Sequence, residues 1–204
     1  MARVYWKGSA LLAPVPSVLV TSGSMETANV LTVGWCGVVA THPPRVSISI
    51  RPERHSYEMI RSSGEFVINL VPASLCETAD YVGTVTGRCV DKFAKTGLTL
   101  LPSKEVTAPS IAECPLSLEC KVADVLHEGS HDLFIADVVG VSVEEDLLDQ
   151  NGKLRLDRIP LLVFSHGEYF TIGKKIGPIG LSVSRKGARK TRLSRNSPGR
   201  NKTK

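Results

Sequence analysis

A cluster of basic and hydroxyl side chains stands near the middle of the first half of the chain, at Arg51, Arg54, His55 and Ser56. Residues 56–61 read as a short helix that Ser56 can N-cap. A helix N-terminus offers unpaired backbone N–H groups and the positive end of a dipole, and guanidinium and hydroxyl groups beside it favour a phosphate. The pattern therefore predicts a phosphate cradle. It also fits an ordinary capped helix on a basic surface, and the spacing alone leaves both interpretations open.

The second candidate is a pair of histidines, His127 and His131, four residues apart. On one helical face they could hold a metal ion, but Gly129 and the alternating residues that follow indicate a turn, so no metal site is expected. His131 alone could hydrogen-bond a ligand, or it could be a structural residue at the start of a strand. The sequence has no nucleophile elbow, no Walker loop and no GxGxxG fingerprint.

Alternating apolar and polar residues indicate the strands that would position these groups. The residues predicted to face a core are Val46, Ile48 and Ile50; Leu116, Leu118, Cys120 and Val122; and Leu133, Ile135, Val139, Val141 and Val143. Short apolar runs at 18–21, 66–70 and 161–164 predict buried strands. Short helices are predicted over 56–61 and 73–81, and a hairpin or exposed loop over 143–154. Many short strands separated by turns favour a mainly β (α+β) fold, an antiparallel barrel with a few helices.

Composition restricts the class of protein. The 204 residues, 42% hydrophobic and 22% charged, suit one globular domain with terminal segments. No apolar run approaches the roughly 20 residues that span a bilayer, and the N-terminus lacks a cleavage signal, so a cytoplasmic protein is expected. Five scattered cysteines with no C-x-x-C pair predict neither a disulfide scaffold nor a zinc site.

The last twenty residues account for the net positive charge of the chain. They contain nine Lys or Arg and no acid, which leaves 16 basic and 20 acidic residues in the body. Without apolar periodicity, residues 185–204 are predicted to be a mobile tail. Such a tail could bind nucleic acid through its charge, but we favour a solubilising role, and expect no nucleic-acid partner.

Several segments in a fixed order carry a resemblance to a known family. They are PVPSVLVTS, ANVLTVGWCGVVATHPPRVSISIRPERHSYEMIR, EFVINLV, ADYVGTVTGRCVDKFAKTGLTLLPS, CPLSLECKV, GSHDLFIADVVGV and YFTIGKKIGPIGLS. From about Pro14 to about Ser182 the chain resembles the flavin-reductase-like family, in particular its flavoredoxin branch. The resemblance implies an FMN-binding split β-barrel over 14–184, preceded by an N-terminal segment, 1–13.

The resemblance also implies a set of site residues. The segment from Asn29 to Trp35, with Leu31 and Thr32, would lie along the flavin ring. The ribityl-phosphate end would be held by Ser49, Arg51, Arg54, His55, Ser56 and Lys92. His131 matches a family histidine near the flavin and the nicotinamide, where it would shape the pocket without being an obligatory acid. A homodimer is implied, with residues of both subunits, such as Tyr169 or Lys174, completing each site.

Two functions follow from the resemblance. The first is an NAD(P)H-dependent flavin reductase, in which FMN accepts hydride from NADH or NADPH and passes electrons on, with an oxygenase or a redox protein as partner. The second is a flavoredoxin-like electron carrier that is reduced by a protein partner and turns over NAD(P)H poorly.

Overall fold

The computed structural model describes residues 1–183, and the predicted basic tail, 185–204, lies outside the described residues. Met1–Ile172 form one compact unit, and a second unit starts at Gly173. The described part of that second unit, 173–183, contains no helix or strand. No helix in residues 1–183 is long and apolar enough to cross a membrane.

Twelve strands make up the described fold. In chain order they are β1 (Val15–Pro16), β2 (Val18–Ser22), β3 (Asn29–Val33), β4 (Cys36–Thr41), β5 (Pro44–Ile50), β6 (Glu65–Leu70), β7 (Leu100–Leu101), β8 (Ser110–Ile111), β9 (Leu116–Glu128), β10 (His131–Val143), β11 (Leu162–Ser165) and β12 (Glu168–Thr171). Seven of them form an antiparallel sheet in the order β3-β2-β6-β9-β10-β5-β4, and β1-β11-β12 and β7-β8 form two smaller sheets.

The large sheet curls into a nearly closed barrel. β3 and β4 stand at opposite ends of the strand order although they are consecutive in the chain. The backbone N–H of Ser49 in β5 donates to the carbonyl oxygen of Trp35, between β3 and β4, at 2.8 Å. One buried cluster includes side chains from β2, β3, β5, β6, β9 and β10, which requires the sheet to surround them. The predicted β-rich barrel is confirmed.

The prediction for β10 was wrong about which face points inward. Phe134 pairs with Ile48 and Ala136 with Val46, and both β10 residues are fully buried in the barrel interior. Leu133 and Ile135 therefore point outward, half-buried. Both faces of this strand are apolar, so its alternation does not distinguish inside from outside, and a register shift between Val138 and Gly140 changes its phase.

The helices are α1 (His55–Ser63), α2 (Cys76–Thr84) and α3 (Lys92–Thr96), with 3-10 turns at Ala73–Leu75, Glu145–Leu147 and Leu156–Arg158. The N-cap of α1 is Arg54, whereas Ser56, the predicted cap, lies inside the first turn. The predicted helix over 73–81 starts as a 3-10 turn and becomes α-helical only at Cys76. The sequence analysis missed α3, although Asp91 caps it by accepting the Ala94 N–H at 3.0 Å.

Helix α2 covers the outside of β2 and β3. Leu19 and Val30 point out of the barrel there and pack with Ala79 and Val82 of α2 in a second buried cluster. Both faces of β2 are thus buried, which explains its uninterrupted apolar sequence. The C-terminal end of α2 is thereby held close to β3.

Candidate functional site

Two adjoining cavities form one cleft where β3 and β5 meet the N-terminus of α1 and the C-terminal end of α2. The first cavity has a volume of about 270 Å³ and the second about 370 Å³. Leu31, Arg51 and Arg54 line both of them. The structure brings all eleven predicted site residues to this cleft: Thr32, Trp35, Ser49 and His131 line the first cavity, and Asn29, His55, Ser56 and Lys92 line the second.

The second cavity lies at the start of α1. Arg54 has extended backbone geometry and provides no side-chain hydrogen bond to cap the helix. Its carbonyl oxygen accepts the Tyr57 N–H at 3.0 Å. Ser56 is 1% exposed, and its hydroxyl accepts a hydrogen bond of 2.7 Å from the amide nitrogen of Asn29. This bond ties the helix start to β3 and fixes the Ser56 side chain.

Arginines surround the same cavity. Arg54 reaches α2, where its NH1 donates to the carbonyl oxygen of Gly83 at 3.2 Å. Arg88 donates to the carbonyl oxygen of Glu53 at 3.0 Å, which joins the loop after α2 to the turn before α1. The Arg51–Glu53 ion pair, at 3.5 Å, is more than half exposed on both sides and contributes little to stability.

Lys92, which the resemblance places near the phosphate end, is a buried residue beside the second cavity. It is 3% exposed, and its Nζ donates to the carbonyl oxygens of Val30 at 2.7 Å and Val82 at 2.6 Å. Burial, followed by the charge of Arg54, lowers its pKa to about 8. Lys92 also lines the second cavity. Two of its three ammonium N–H groups bind β3 and α2, so one N–H is left for a ligand.

Gly87 is a site residue that the sequence analysis did not identify. A Cβ at this position would overlap Asn29 Oδ1 and would come within 3.0 Å of His55 Cδ2. The loop after α2 therefore approaches the cavity wall as closely as only a glycine allows. The sequence offers little indication of this contact. The segment GTVTG contains two glycines, and no neighbouring residue shows that either of them packs against the cavity wall.

The surroundings of His55 and His131 both lower the imidazole pKa and so favour the neutral form. Burial, and then the charges of Arg88 and Lys92, lower the pKa of His55. Burial, and then the charge of Arg51, lower the pKa of His131, and Glu53 opposes this shift. Uncharged imidazoles in a basic cleft can gain a proton when an anion arrives.

In the first cavity, His131 is oriented by two neighbours. Its ring centroid lies 4.5 Å from that of Trp35 at an interplanar angle of 42°, and its Nδ1 is 2.9 Å from the hydroxyl oxygen of Ser130. The Thr32 hydroxyl donates to the carbonyl oxygen of Ala79 in α2. Trp35 is 50% exposed, so an aromatic face remains open at the cleft.

Residues of α2 and of the β11–β12 hairpin close the other side of the first cavity. Tyr169, which the resemblance names as a residue that completes the site, lines this cavity within its own chain. Its hydroxyl donates to Asp80 Oδ1 at 3.2 Å, and burial followed by that bond raises its pKa to about 12. Phe164 packs edge-on against Tyr169 with 5.5 Å between ring centroids. No local motif marks Asp80 or Phe164, because only tertiary packing brings them here.

The described residues form neither a metal-ligand cluster nor a disulfide. Among them no group of three or more His, Cys, Asp or Glu side chains could hold a metal ion. His127 and His131 are separated by a turn with Gly129 at φ 66°, as predicted. All five cysteines are free, and burial raises the pKa of Cys36 to about 11 and that of Cys114 and Cys120 to about 12.

Comparisons with known proteins agree on one family. The model of the flavin reductase like domain matches residues 11–173. An uncharacterized protein of Pyrococcus abyssi is 33% identical over 170 residues, covering 83% of this chain and 97% of that protein. The structure is similar to the flavoredoxin of Desulfovibrio vulgaris, with a TM-score of 0.82, 27% identity, and coverage of 90% of this chain and all of that one. A more distant relative, an FMN reductase (NADH) of Agrobacterium fabrum, is 23% identical over 155 residues, 74% of this chain and 86% of that protein.

Proposed function

This chain belongs to the flavin reductase like domain family, and from this premise we propose that it binds FMN in the cleft and acts as an NAD(P)H-dependent flavin reductase. One observation carries the proposal for FMN. A basic cavity at a helix start continues directly into a cavity with an open aromatic face, and Leu31, Arg51 and Arg54 line both. A flat ring joined to a phosphate requires this combination of surfaces.

The second cavity has the donors that a phosphate monoester needs. Arg54, His55 and Ser56, at the start of α1, line the same space. Phosphate bound at a helix start gains from both hydrogen bonds and the helix dipole. The close approach of Gly87 leaves room for the phosphate end without a side chain in the way.

The first cavity fits an isoalloxazine ring. Trp35 and Leu31 offer apolar surface, while Thr32 and Ser49 offer oxygen atoms at the ring's edge. Arg51 and Arg54 place positive charge beside the space, which favours the negative charge of a reduced flavin.

When bound, FMN would supply the ability to accept a hydride from a nicotinamide. The chain's own residues bind and orient the reactants, and no nucleophile is required. His131, neutral and fixed by Trp35 and Ser130, shapes the pocket next to the ring. Its role is therefore placement and local charge.

We also propose that the working form is a homodimer. The outward face of β10 presents Leu133 and Ile135, and Leu133 pairs directly with Ser49 of the cleft. Val38 and Val39 of the edge strand β4 are 78% and 50% exposed. Apolar surface that adjoins the cleft is typical of an interface, and a second copy there would cover one edge of the bound flavin.

Anaerobic addition of NADH or NADPH to FMN-loaded protein tests the reductase proposal. We expect one of the two donors to bleach the flavin absorbance. Failure of both donors would reject the reductase, and rapid reduction by a low-potential redox protein would then support the second candidate. That candidate, an electron carrier, is favoured by the structural similarity to a flavoredoxin.

We also propose that the protein works in the cytoplasm and that an oxygenase or a redox protein uses the reduced FMN. Both assignments depend on the reductase proposal.

A further inference from the structure

A buried hydrogen bond joins the helix of the second cavity to the strand that carries His131. The hydroxyl of Tyr57, in α1, donates to Asp132 Oδ2, in β10, at 2.5 Å. Tyr57 is 5% and Asp132 is 4% exposed. Neither residue lines either cavity, so neither can contact a molecule bound there.

The two bonded residues, Tyr57 and Asp132, are sequence neighbours of residues that line the two cavities. Tyr57 directly follows His55 and Ser56, which line the second cavity, and Asp132 directly follows His131, which lines the first. The bond is therefore a cross-link, behind the cleft wall, between the two ends of the cleft.

The surroundings make this cross-link stiff. The Tyr57 ring packs edge-on against Phe134, with 5.5 Å between centroids. His127 Nδ1 lies 2.9 Å from the same Asp132 oxygen, and Arg61 NH1 donates to the Tyr57 hydroxyl at 3.4 Å. The Tyr57 hydrogen bond, more than any other contact, holds the pKa of Asp132 below its usual range, so the carboxylate is charged and the bond is charge-assisted.

We propose that Tyr57 and Asp132 are positioning residues that fix the distance between the phosphate-binding turn and His131, and so decide where the ring of a phosphate-held flavin lies. This inference rests on the proposed binding of FMN. If the bond is lost, the phosphate donors stay intact, but the His131 strand can shift relative to them. Displacements near 1 Å can slow a reaction by up to about 100-fold, so one lost bond should have a visible effect on the ring end.

The test compares Tyr57→Phe with Tyr81→Phe. Both changes remove one phenolic oxygen, but Tyr81 lies on α2 beside a shallow pocket outside the cleft. The FMN-loaded proteins are examined by phosphorus NMR, which reports on the phosphate, and by visible circular dichroism of the flavin, which reports on the ring. For Tyr57→Phe we expect an unchanged phosphorus shift and an altered flavin dichroism, and for Tyr81→Phe no change in either signal.

A rate measurement separates positioning from a general loss of stability. All variants are assayed saturated with FMN, well below their unfolding temperatures. We expect Tyr57→Phe to lower the rate constant of flavin reduction by NAD(P)H about tenfold while the KM for the donor changes less than about threefold. Asp132→Ala should lower the same rate constant. Asp132→Asn keeps an acceptor for the Tyr57 hydroxyl, so its rate should stay much closer to that of the wild type.

The outcomes distinguish this inference from the proposal beneath it. Wild-type protein that binds FMN but is not reduced by either donor rejects the reductase only, and the two spectroscopic signals still decide the role of Tyr57. Flavin dichroism of Tyr57→Phe identical to that of the wild type would overturn the inference. A change in both the phosphorus shift and the dichroism of Tyr57→Phe would also overturn the inference. The bond would then stabilise both ends of the site and would not specifically position the ring.

Discussion

At the scale of single residues, Gly87 provides the simplest test of the second cavity. A methyl group there would overlap Asn29 Oδ1, and Asn29 holds Ser56. Gly87→Ala should therefore weaken FMN binding about tenfold or more by displacing these side chains, a loss of at least about 1.4 kcal/mol. Fluorescence titration of FMN measures it. Gly8→Ala is the control, because a Cβ at Gly8 meets nothing within 4 Å. Equal affinity of both variants would contradict the proposed cavity.

The lowered pKa of His55 predicts how FMN affinity depends on pH. Burial and nearby cations keep the imidazole neutral in the free protein, whereas a bound phosphate dianion raises its pKa. Binding then takes up a proton, so affinity should increase as the pH falls from about 8 to about 6. If the phosphate raises the His55 pKa by about 1, the gain is at most about tenfold, and it is reached in full only below the pKa of the free protein. Calorimetry in two buffers of different ionisation enthalpy measures the proton uptake.

His55→Gln should remove this proton uptake. His166→Asn is its control, since His166 lies on the β11–β12 turn at φ 49°, a conformation that asparagine tolerates. Proton uptake that persists in His55→Gln would assign the effect to another group.

Residue types and spacing predicted part of the site and missed the rest for a physical reason. Arg51, Arg54, His55 and Ser56 are close in sequence and were found from their chemistry. Asp80, Gly87 and Phe164 reach the cleft only because α2 packs on β3 and the β11–β12 hairpin adjoins it. Contacts of that kind leave no local pattern in the sequence.

At the scale of elements, Lys92 joins β3 to α2. Lys92→Met would leave the buried carbonyl oxygens of Val30 and Val82 without this donor, which should lower the free energy of unfolding by about 2 kcal/mol. Urea denaturation measures it. Lys95→Met, on the exposed side of the same helix, should change it little, and similar losses in both variants would argue against the cross-link.

The same lysine predicts a pH dependence of stability. The pKa of Lys92 is lowered to about 8 in the folded protein, whereas an unfolded chain keeps the usual value of about 10.4. At a pH between these two pKa values the unfolded state therefore binds more protons than the folded state. Wild-type stability should therefore rise from about pH 8 to about pH 10, and Lys92→Met should show a smaller rise. The comparison uses the same denaturation curves, repeated at each pH.

The strand pattern predicted the elements better than their orientation. Alternation at 46–50 and 116–122 identified the inward faces of β5 and β9 correctly, because their outward residues are polar. Alternation in β10 did not, because Leu133 and Ile135 face outward beside the inward Phe134 and Ala136. An apolar outward face satisfies the sequence pattern as well as an apolar inward one.

At the scale of the whole molecule, that outward face predicts the assembly. Ile135→Glu places a charge on the proposed interface at a half-buried outward position, so the barrel should still fold while the dimer dissociates. Light scattering after size-exclusion chromatography should give the mass of one chain. Leu101→Glu, an exposed position on the separate β7–β8 sheet, should leave the mass of two chains. A dimer in both variants would place the interface elsewhere.

The central claim is that the two cavities together hold one FMN. Titration of flavin-free protein with FMN, followed by protein and flavin fluorescence, tests it most directly when wild type, Gly87→Ala and Arg54→Gln are compared. The account predicts saturation at one FMN per chain and an affinity reduced about tenfold or more in each variant, since each changes the second cavity. No saturable binding by the wild type, or equal binding by all three proteins, would contradict it.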